Sequence, residues 1–152
     1  MAMHQLNLNS LPLMDVDSTL DPGRRARVGF PNHSQVGNAS TATVYFELDP
    51  RMHIGLHRDS SEELLLILEG EGEATVGKET AVAQAGAILT VPAMEPHDIR
   101  NVGAGTLRVL GFFSAPTLVA TFDEPVAPGG PQVFVIGAPI EIAAPLEQLV
   151  PA

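Results

Sequence analysis

Imidazole and carboxylate side chains are concentrated in two short segments of the chain. The first segment carries His53, His57, Asp59 and Glu63, and the second carries His97. Because side chains alternate between the two faces of a strand, an extended first segment would place His53, His57 and Asp59 on one face. Neutral imidazoles and carboxylates together bind divalent cations such as Fe(II), Mn(II), Ni(II) or Zn(II), and leave positions for water or a substrate. The residue types therefore predict a divalent-metal site.

The elements that must hold these side chains have the pattern of short strands. From residue 41 onward, apolar or alternating runs recur, separated by pairs rich in Gly, Pro or charge. This spacing is typical of an all-β sandwich or barrel. The predicted strands cover residues 41–48, 64–68, 74–76, 81–83, 88–91, 107–113, 117–122 and 132–136. The 14 Gly and 13 Pro among 152 residues are too many for a helical bundle, which agrees with an all-β fold.

The pattern divides the chain into three parts. Residues 1–40 are predicted to form an N-terminal arm packed on a barrel of residues 41–138, and residues 139–152 a C-terminal tail compatible with one short helix. The run 64–68 is apolar at both parities, so a strand there is expected to bury both faces. The arm or a second copy of the chain would cover the outer face, and we expect a homodimer.

Composition and charge exclude several classes of function. A net charge of -10 opposes binding to nucleic acid or to an anionic membrane surface. The absence of Cys excludes thiol nucleophiles and iron–sulfur clusters, so any metal must be held by nitrogen and oxygen. No apolar run approaches the roughly 20 residues of a membrane-spanning helix. No secretory signal is visible at the N-terminus, so we expect a cytoplasmic protein with a small-molecule partner.

Two spaced motifs contain the candidate ligands. The first is His57-Arg58-Asp59, three residues, Glu63, six residues and Gly70, and the second is Gly86, five residues, Pro92-Ala93-Met94, two residues, His97, three residues and Asn101. In order and spacing the two motifs resemble those of the cupin superfamily, over about residues 41–114. Asp59 stands where the family motif has a second histidine, and Met94 where it has a glycine.

The resemblance implies an all-β, double-stranded β-helix (jelly-roll) cupin barrel with an N-terminal arm. It also implies a metal held by His57, Glu63 and His97, with Asp59 either as the fourth ligand or as a hydrogen-bonding partner beside the metal. An oxygen from Asp59 would favour harder ions than a histidine nitrogen would. By family resemblance the chain is a metal-dependent enzyme acting on a small organic molecule. A dioxygenase is favoured over an isomerase or lyase unless His53 points into the pocket, where it could act as an acid or base.

Three alternatives remain open from the sequence. The order His57-x-Asp59…His97 is also that of the two-histidine-one-carboxylate triad of non-haem iron oxygenases, in which Arg108 would bind a cosubstrate carboxylate. Alternatively, the motif residues persist as hydrogen-bonding groups in a metal-free barrel that binds or senses a small molecule. The third alternative is a structural or partner-binding cupin, which the small size and the acidic inner positions disfavour.

Overall fold

The computed structural model describes residues 3–137. Across these residues the chain forms short strands and two 3-10 turns, Leu8–Ser10 and Ser34–Val36. The strands are β1 (Met14–Asp17), β2 (Arg25–Asn32), β3 (Ala42–Leu48), β4 (His57–Asp59), β5 (Glu63–Glu69), β6 (Glu71–Val76), β7 (Glu79–Gln84), β8 (Ile88–Val91), β9 (His97–Asn101), β10 (Leu107–Phe113), β11 (Leu118–Phe122) and β12 (Val133–Ile136). The described residues include no helix long and apolar enough to cross a membrane.

Two antiparallel six-stranded sheets build the fold. The first has the strand order β1-β2-β3-β10-β5-β8 and the second β12-β11-β4-β9-β6-β7. Neighbours far apart in the chain, such as β10 between β3 and β5, are typical of a jelly roll, in which strands cross repeatedly between two packed sheets. The all-β jelly-roll prediction is thus confirmed. The short helix considered for the tail would lie outside the described residues.

Strand β5 shows how the sequence pattern and the fold are related. Its side chains alternate, with Glu63, Leu65 and Ile67 buried between the sheets and Leu64 on the outer face. Within a single chain the outer face of this run is not covered, because Leu64 is 40% exposed, so burial of both faces by a second copy stays a prediction. Inside, Ile67 packs in one continuous apolar core with residues of both sheets. Burial of this core is the main term that stabilises the barrel.

The predicted N-terminal arm contributes to the first sheet. Strand β1 pairs with β2, and β2 pairs with β3, so residues 14–32 extend the sheet edge. Before β1, the side chains of Leu11 and Leu13 pack against Gly29 of β2, where an added Cβ would lie 2.7 Å from Leu11. This packing does not reach the exposed Leu64. Where the arm ends and the barrel begins stays a prediction.

The strands that carry the candidate ligands come from both sheets of the barrel. Strands β4 and β9 are neighbours in the second sheet, with His57 directly opposite His97. Strand β5 belongs to the first sheet and begins with Glu63, whose side chain is buried. The topology therefore brings residues far apart in the sequence to one place between the sheets.

Candidate metal centre

Three predicted ligands converge inside the barrel. His57, Asp59 and His97 each offer one nitrogen or oxygen atom, and these atoms lie within 4.8 Å of one another. The Oδ2 atom of Asp59 is 3.1 Å from Nε2 of His97 and 3.6 Å from Nε2 of His57. The two imidazole rings are 4.1 Å apart between centroids. Such a cluster of two imidazoles and one carboxylate is a candidate site for a divalent metal.

Backbone carbonyls fix the orientation of both imidazoles. Nδ1 of His57 lies 2.7 Å from the carbonyl oxygen of Gly55, and Nδ1 of His97 lies 2.8 Å from that of Glu95. A carbonyl oxygen can only accept, so each Nδ1–H donates. In the neutral tautomer each Nε2 lone pair is then directed toward Asp59, as metal-binding histidines require.

Two atoms at the centre of this cluster have no hydrogen-bond partner among the described residues. Oδ2 of Asp59 and Nε2 of His97 are both fully buried, and although they lie at ion-pair distance, neither makes a hydrogen bond of good geometry. Buried polar atoms are normally satisfied, because leaving one unpaired costs about 1–3 kcal/mol. A divalent cation would satisfy both atoms, so the donor set fits a metal.

Glu63 lies beside this group. Its Oε1 atom is 3.3 Å from Nε2 of His97, but its carboxylate is not among the atoms that lie within 4.8 Å of one another. Gly111 of β10 leaves room for the carboxylate, since a Cβ at that position would overlap Oε2 of Glu63. Nothing in the sequence pattern singled out Gly111, because its role depends on the pairing of β10 with β5.

Burial and mutual contact shift the pKa values of the cluster. Burial lowers the pKa of His57 to about 4, and the charge of His97 adds to the effect. Burial also lowers the pKa of His97, but contacts with Asp59 and Glu63 raise it by more, to about 10. Burial raises the pKa of Glu63 to about 7, against the opposing effect of His97. Without metal, His97 therefore holds a proton that a cation must displace.

His53 does not share this site. The expectation that one strand would carry His53 on the same face as His57 is wrong, because Gly55, with a φ of 106°, breaks the extended backbone and β4 begins only at His57. Nδ1 of His53 is 2.6 Å from Asp98 and Nε2 is 2.7 Å from Asp21. These contacts tie the arm to β9. His53 lines a surface cleft and not the barrel cavity, although its partner Asp98 lines both.

A cavity of about 130 Å³ opens next to the candidate ligands. One water needs roughly 10–15 Å³ on the same measure, so the cavity is large enough for a small organic molecule. His57, Asp59, Glu63 and His97 line it at one end, together with Asp98, and the rest of the described wall is apolar. The ring of Phe122 stacks on His57 with centroids 4.5 Å apart, and this aromatic wall was not predicted from the sequence.

Arg108 does not line the cavity either. Its Nε donates to the hydroxyl of Tyr45 at 2.7 Å, and its Nη2 donates to Oδ1 of Asn9 at 2.8 Å. The guanidinium group therefore lies on the outer side of β10 and holds the arm. The interpretation of Arg108 as a ligand for a cosubstrate carboxylate is wrong, because the register of β10 directs this side chain away from the site.

A double-stranded β-helix with a His/Asp cluster between its sheets defines the class of protein. Residues 44–113 match the family model described as Cupin domain. The chain is 30% identical over 114 residues to the 1-methylthio-D-xylulose 5-phosphate methylsulfurylase of Rhodospirillum rubrum, covering 74% of this chain and 70% of that protein. The chain therefore belongs to the cupin superfamily, as its two motifs predicted.

Solved structures show the same fold at low sequence identity. A predicted oxalate decarboxylase from Thermotoga maritima aligns with a TM-score of 0.63 and 18% identity, covering 73% of this chain and 98% of that one. The formate complex of Lactobacillus farciminis oxalate decarboxylase aligns with a TM-score of 0.59 and 23% identity, covering 68% of this chain. The chain spans only 31% of that decarboxylase, so the likeness concerns the barrel alone.

Proposed function

We propose that the chain is a metal-dependent enzyme, dioxygenase-like, that acts on a small organic molecule in the barrel cavity. The observation that carries the proposal is the pair of buried, unpartnered atoms, Oδ2 of Asp59 and Nε2 of His97, facing Nε2 of His57. In this proposal His57, Asp59 and His97 hold the cation, and Glu63 takes a fourth position or accepts a hydrogen bond beside it. Fe(II), Mn(II), Ni(II) and Zn(II) all suit these donors.

The surroundings of the cluster offer few groups for proton transfer, which supports oxygen chemistry as the first candidate. A bound divalent cation would polarise an oxygen-bearing substrate or provide a site for dioxygen. Acid–base catalysis needs a further titratable group in reach of the substrate. Within the described lining that group is Glu63 or Asp98, and Asp98 is engaged by His53 and by the backbone N–H groups of Gly55 and Ile99.

The second candidate is an isomerase or lyase. It is favoured by the position of Glu63, a buried carboxyl group that lines the cavity beside His97 and could exchange a proton with a bound substrate. The relatives' names describe unlike reactions, a methylsulfurylase and oxalate decarboxylases, and so do not select between the two candidates. Oxygen uptake by the metal-loaded protein indicates a dioxygenase, whereas solvent deuterium entering a ketone without oxygen uptake indicates an isomerase or lyase.

Metal binding itself is tested by calorimetric titration of chelator-treated protein with each of the four cations, Fe(II) under anaerobic conditions. We expect one cation per chain for the wild type, and a loss of at least about tenfold in affinity for His57→Ala, His97→Ala and Asp59→Asn. His4→Ala and Glu62→Gln are matched controls, because both side chains are exposed. Absence of binding by the wild type would overturn the enzyme proposal and leave a metal-free small-molecule binding protein.

We also propose that the protein is a homodimer, held by the outer face of the first sheet. Leu64 and Phe112 are cross-strand neighbours and are 40% and 41% exposed, and Ile88 on the adjacent strand is 64% exposed. An exposed apolar patch of this kind favours association. Sedimentation should give a dimer for the wild type and a monomer for Leu64→Glu, whereas Val82→Glu on the second sheet should stay dimeric. A wild-type monomer, or a dimeric Leu64→Glu variant, would contradict this interface.

A cytoplasmic location of the protein remains a prediction.

A further inference from the structure

The wall of the barrel cavity combines a few charged or titratable side chains with a large apolar surface. Its polar side chains are the four candidate metal ligands, which lie together, and Asp98. The remaining described lining residues are all apolar, and they include the aromatic side chains Phe30, Phe46, Phe122 and Phe134. Apart from this group, the described lining contains no Arg, Lys, Ser, Thr, Tyr, Asn or Gln. Among the described side chains, a ligand can therefore make polar contacts only with the candidate metal ligands and Asp98.

One cationic side chain, Arg24, contacts a lining residue from outside the cavity. The guanidinium of Arg24 lies 4.9 Å from the ring centroid of Phe122, but Arg24 does not line the cavity. Its Nε donates to the carbonyl oxygen of Ile54, and its Nη1 donates to those of Glu124 and Pro125. These bonds orient the guanidinium toward the loop that follows β11, and Phe122 separates it from the cavity.

The charges at the polar end decide which ligands can enter. A divalent cation balances the two carboxylates of Asp59 and Glu63, and the carboxylate of Asp98 is paired with His53. A dianion would bring uncompensated charge into an apolar enclosure, where burying unpaired charge is very unfavourable. A neutral compound or a monoanion can bind the cation through its oxygens without this penalty.

The aromatic rings show what the rest of the ligand meets. Phe122 stacks on His57 on one side and on Phe134 on the other, with 5.6 Å between the two phenyl centroids. Phe30 approaches Phe134 edge to face, with 6.4 Å between centroids. The apolar surface thus begins directly beside a candidate metal ligand. A ligand bound to the cation would place its own body against these rings.

We propose that the substrate is a neutral or singly charged compound with a metal-chelating oxygen pair at one end and a hydrocarbon body, aromatic or aliphatic, at the other. The proposal rests on the metal site proposed above and narrows its substrate class. Phosphorylated sugars and dicarboxylates, the kinds of compound in the names of the compared proteins, are excluded by the same argument.

The test uses three hydroxamic acids that share one metal-binding head. Benzohydroxamic acid carries a phenyl body, acetohydroxamic acid a methyl group and phosphonoacetohydroxamic acid a charged phosphonate. Each is titrated into Zn(II)-loaded protein whose metal content is measured in the same sample. Burial of the phenyl body should make benzohydroxamic acid bind at least about tenfold more tightly than acetohydroxamic acid, with the phosphonate weakest.

A pair of variants on β12 locates the effect. Phe134 lines the cavity, whereas the neighbouring Val133 is 53% exposed and does not. Phe134→Ala should weaken benzohydroxamic acid several-fold and change acetohydroxamic acid by less than about twofold, and Val133→Ala should change neither. The wild-type series stands on its own if Phe134→Ala does not fold.

The outcomes separate this proposal from the one on which it rests. A protein that takes up Zn(II) but binds the three compounds equally, or the phosphonate most tightly, overturns the substrate class and leaves the metal site intact. Tightest binding of the phosphonate would point to Arg24 as a hidden partner. A protein that takes up no Zn(II) overturns the metal site, and the substrate class with it.

Discussion

Replacement of Gly111 by alanine tests the arrangement of the metal centre without replacing any of the candidate ligands. Gly111 lies on β10, opposite Leu65 of β5, and its lack of a side chain leaves room for the carboxylate of Glu63. An added Cβ would overlap Oε2 of Glu63 and lie 2.9 Å from Cγ1 of Val44, closer than van der Waals contact permits. The carboxylate must therefore move, because the strand backbone is fixed by pairing on both sides.

The size of the effect follows from the roles of the atoms displaced. Overpacking a well-packed interior costs about 1–3 kcal/mol of unfolding free energy. Loss of a correctly placed group beside a metal ligand lowers metal affinity by about 10–100-fold. Because Glu63 contacts Nε2 of His97, we expect Gly111→Ala to lower metal affinity within this range and to retain the fold.

Calorimetric metal titration and chemical unfolding of the metal-free protein measure the two quantities separately. Gly105→Ala is the matched control, since a Cβ there meets no heavy atom within 4 Å. It should leave both metal affinity and stability near the wild-type values. If Gly111→Ala binds metal within about twofold of the wild type, Glu63 is neither a ligand nor a group that positions one, and the reasoning is refuted.

Three further predictions concern protons and backbone strain. Metal affinity should rise by about tenfold per pH unit between about pH 7 and pH 9, where Glu63 is ionised and the cation displaces the proton that His97 holds up to a pKa of about 10. Calorimetry in buffers of different ionisation enthalpy should detect one released proton, and a flat profile would contradict this. The contact with Asp98, opposed by burial, raises the pKa of His53 above its ordinary value of 6.5, so this pair stabilises the fold fully below pH 6.5 and the stabilisation is lost as the pH rises through the raised pKa. The variant His53→Gln should therefore lose about 1.5–3 kcal/mol of unfolding free energy, and this loss should shrink toward alkaline pH. A loss that grows toward alkaline pH would contradict the prediction. Met94 has a φ of 65°, so Met94→Gly should raise unfolding free energy by about 0.5–1 kcal/mol, and a decrease would show that the left-handed backbone carries no strain.

The sequence was sufficient to predict the architecture and the grouping of the ligands. Alternating apolar runs and turn residues determine an all-β fold, and two spaced motifs indicated that His57, Asp59 and His97 would meet. Met94 occupies the position of a motif glycine and keeps the left-handed backbone that explains why a glycine is usual there. Local patterns of this kind survive in the structure because they follow from strand alternation and turn geometry.

The remaining features depend on contacts between distant parts of the chain. Alternation failed for His53, because one positive φ at Gly55 interrupts the strand. The alternation of side chains also could not reveal that Arg108 donates a hydrogen bond to Asn9 on the outer face of the first sheet, since this contact depends on how the arm packs. The space that Gly111 leaves for Glu63 exists only once β10 has paired with β5. Sequence reasoning finds residue types and periods, whereas register and close approach become visible only in three dimensions.

The central claim is that a divalent cation binds between His57, Asp59 and His97. Diffraction from Mn(II)- or Zn(II)-loaded crystals, measured on both sides of the absorption edge of the metal, tests it most directly. We predict one strong anomalous peak per chain, within about 2.0–2.2 Å of Nε2 of both histidines and of a carboxylate oxygen of Asp59. The absence of a peak there in metal-loaded crystals, or a peak bound elsewhere on the chain, would contradict the account.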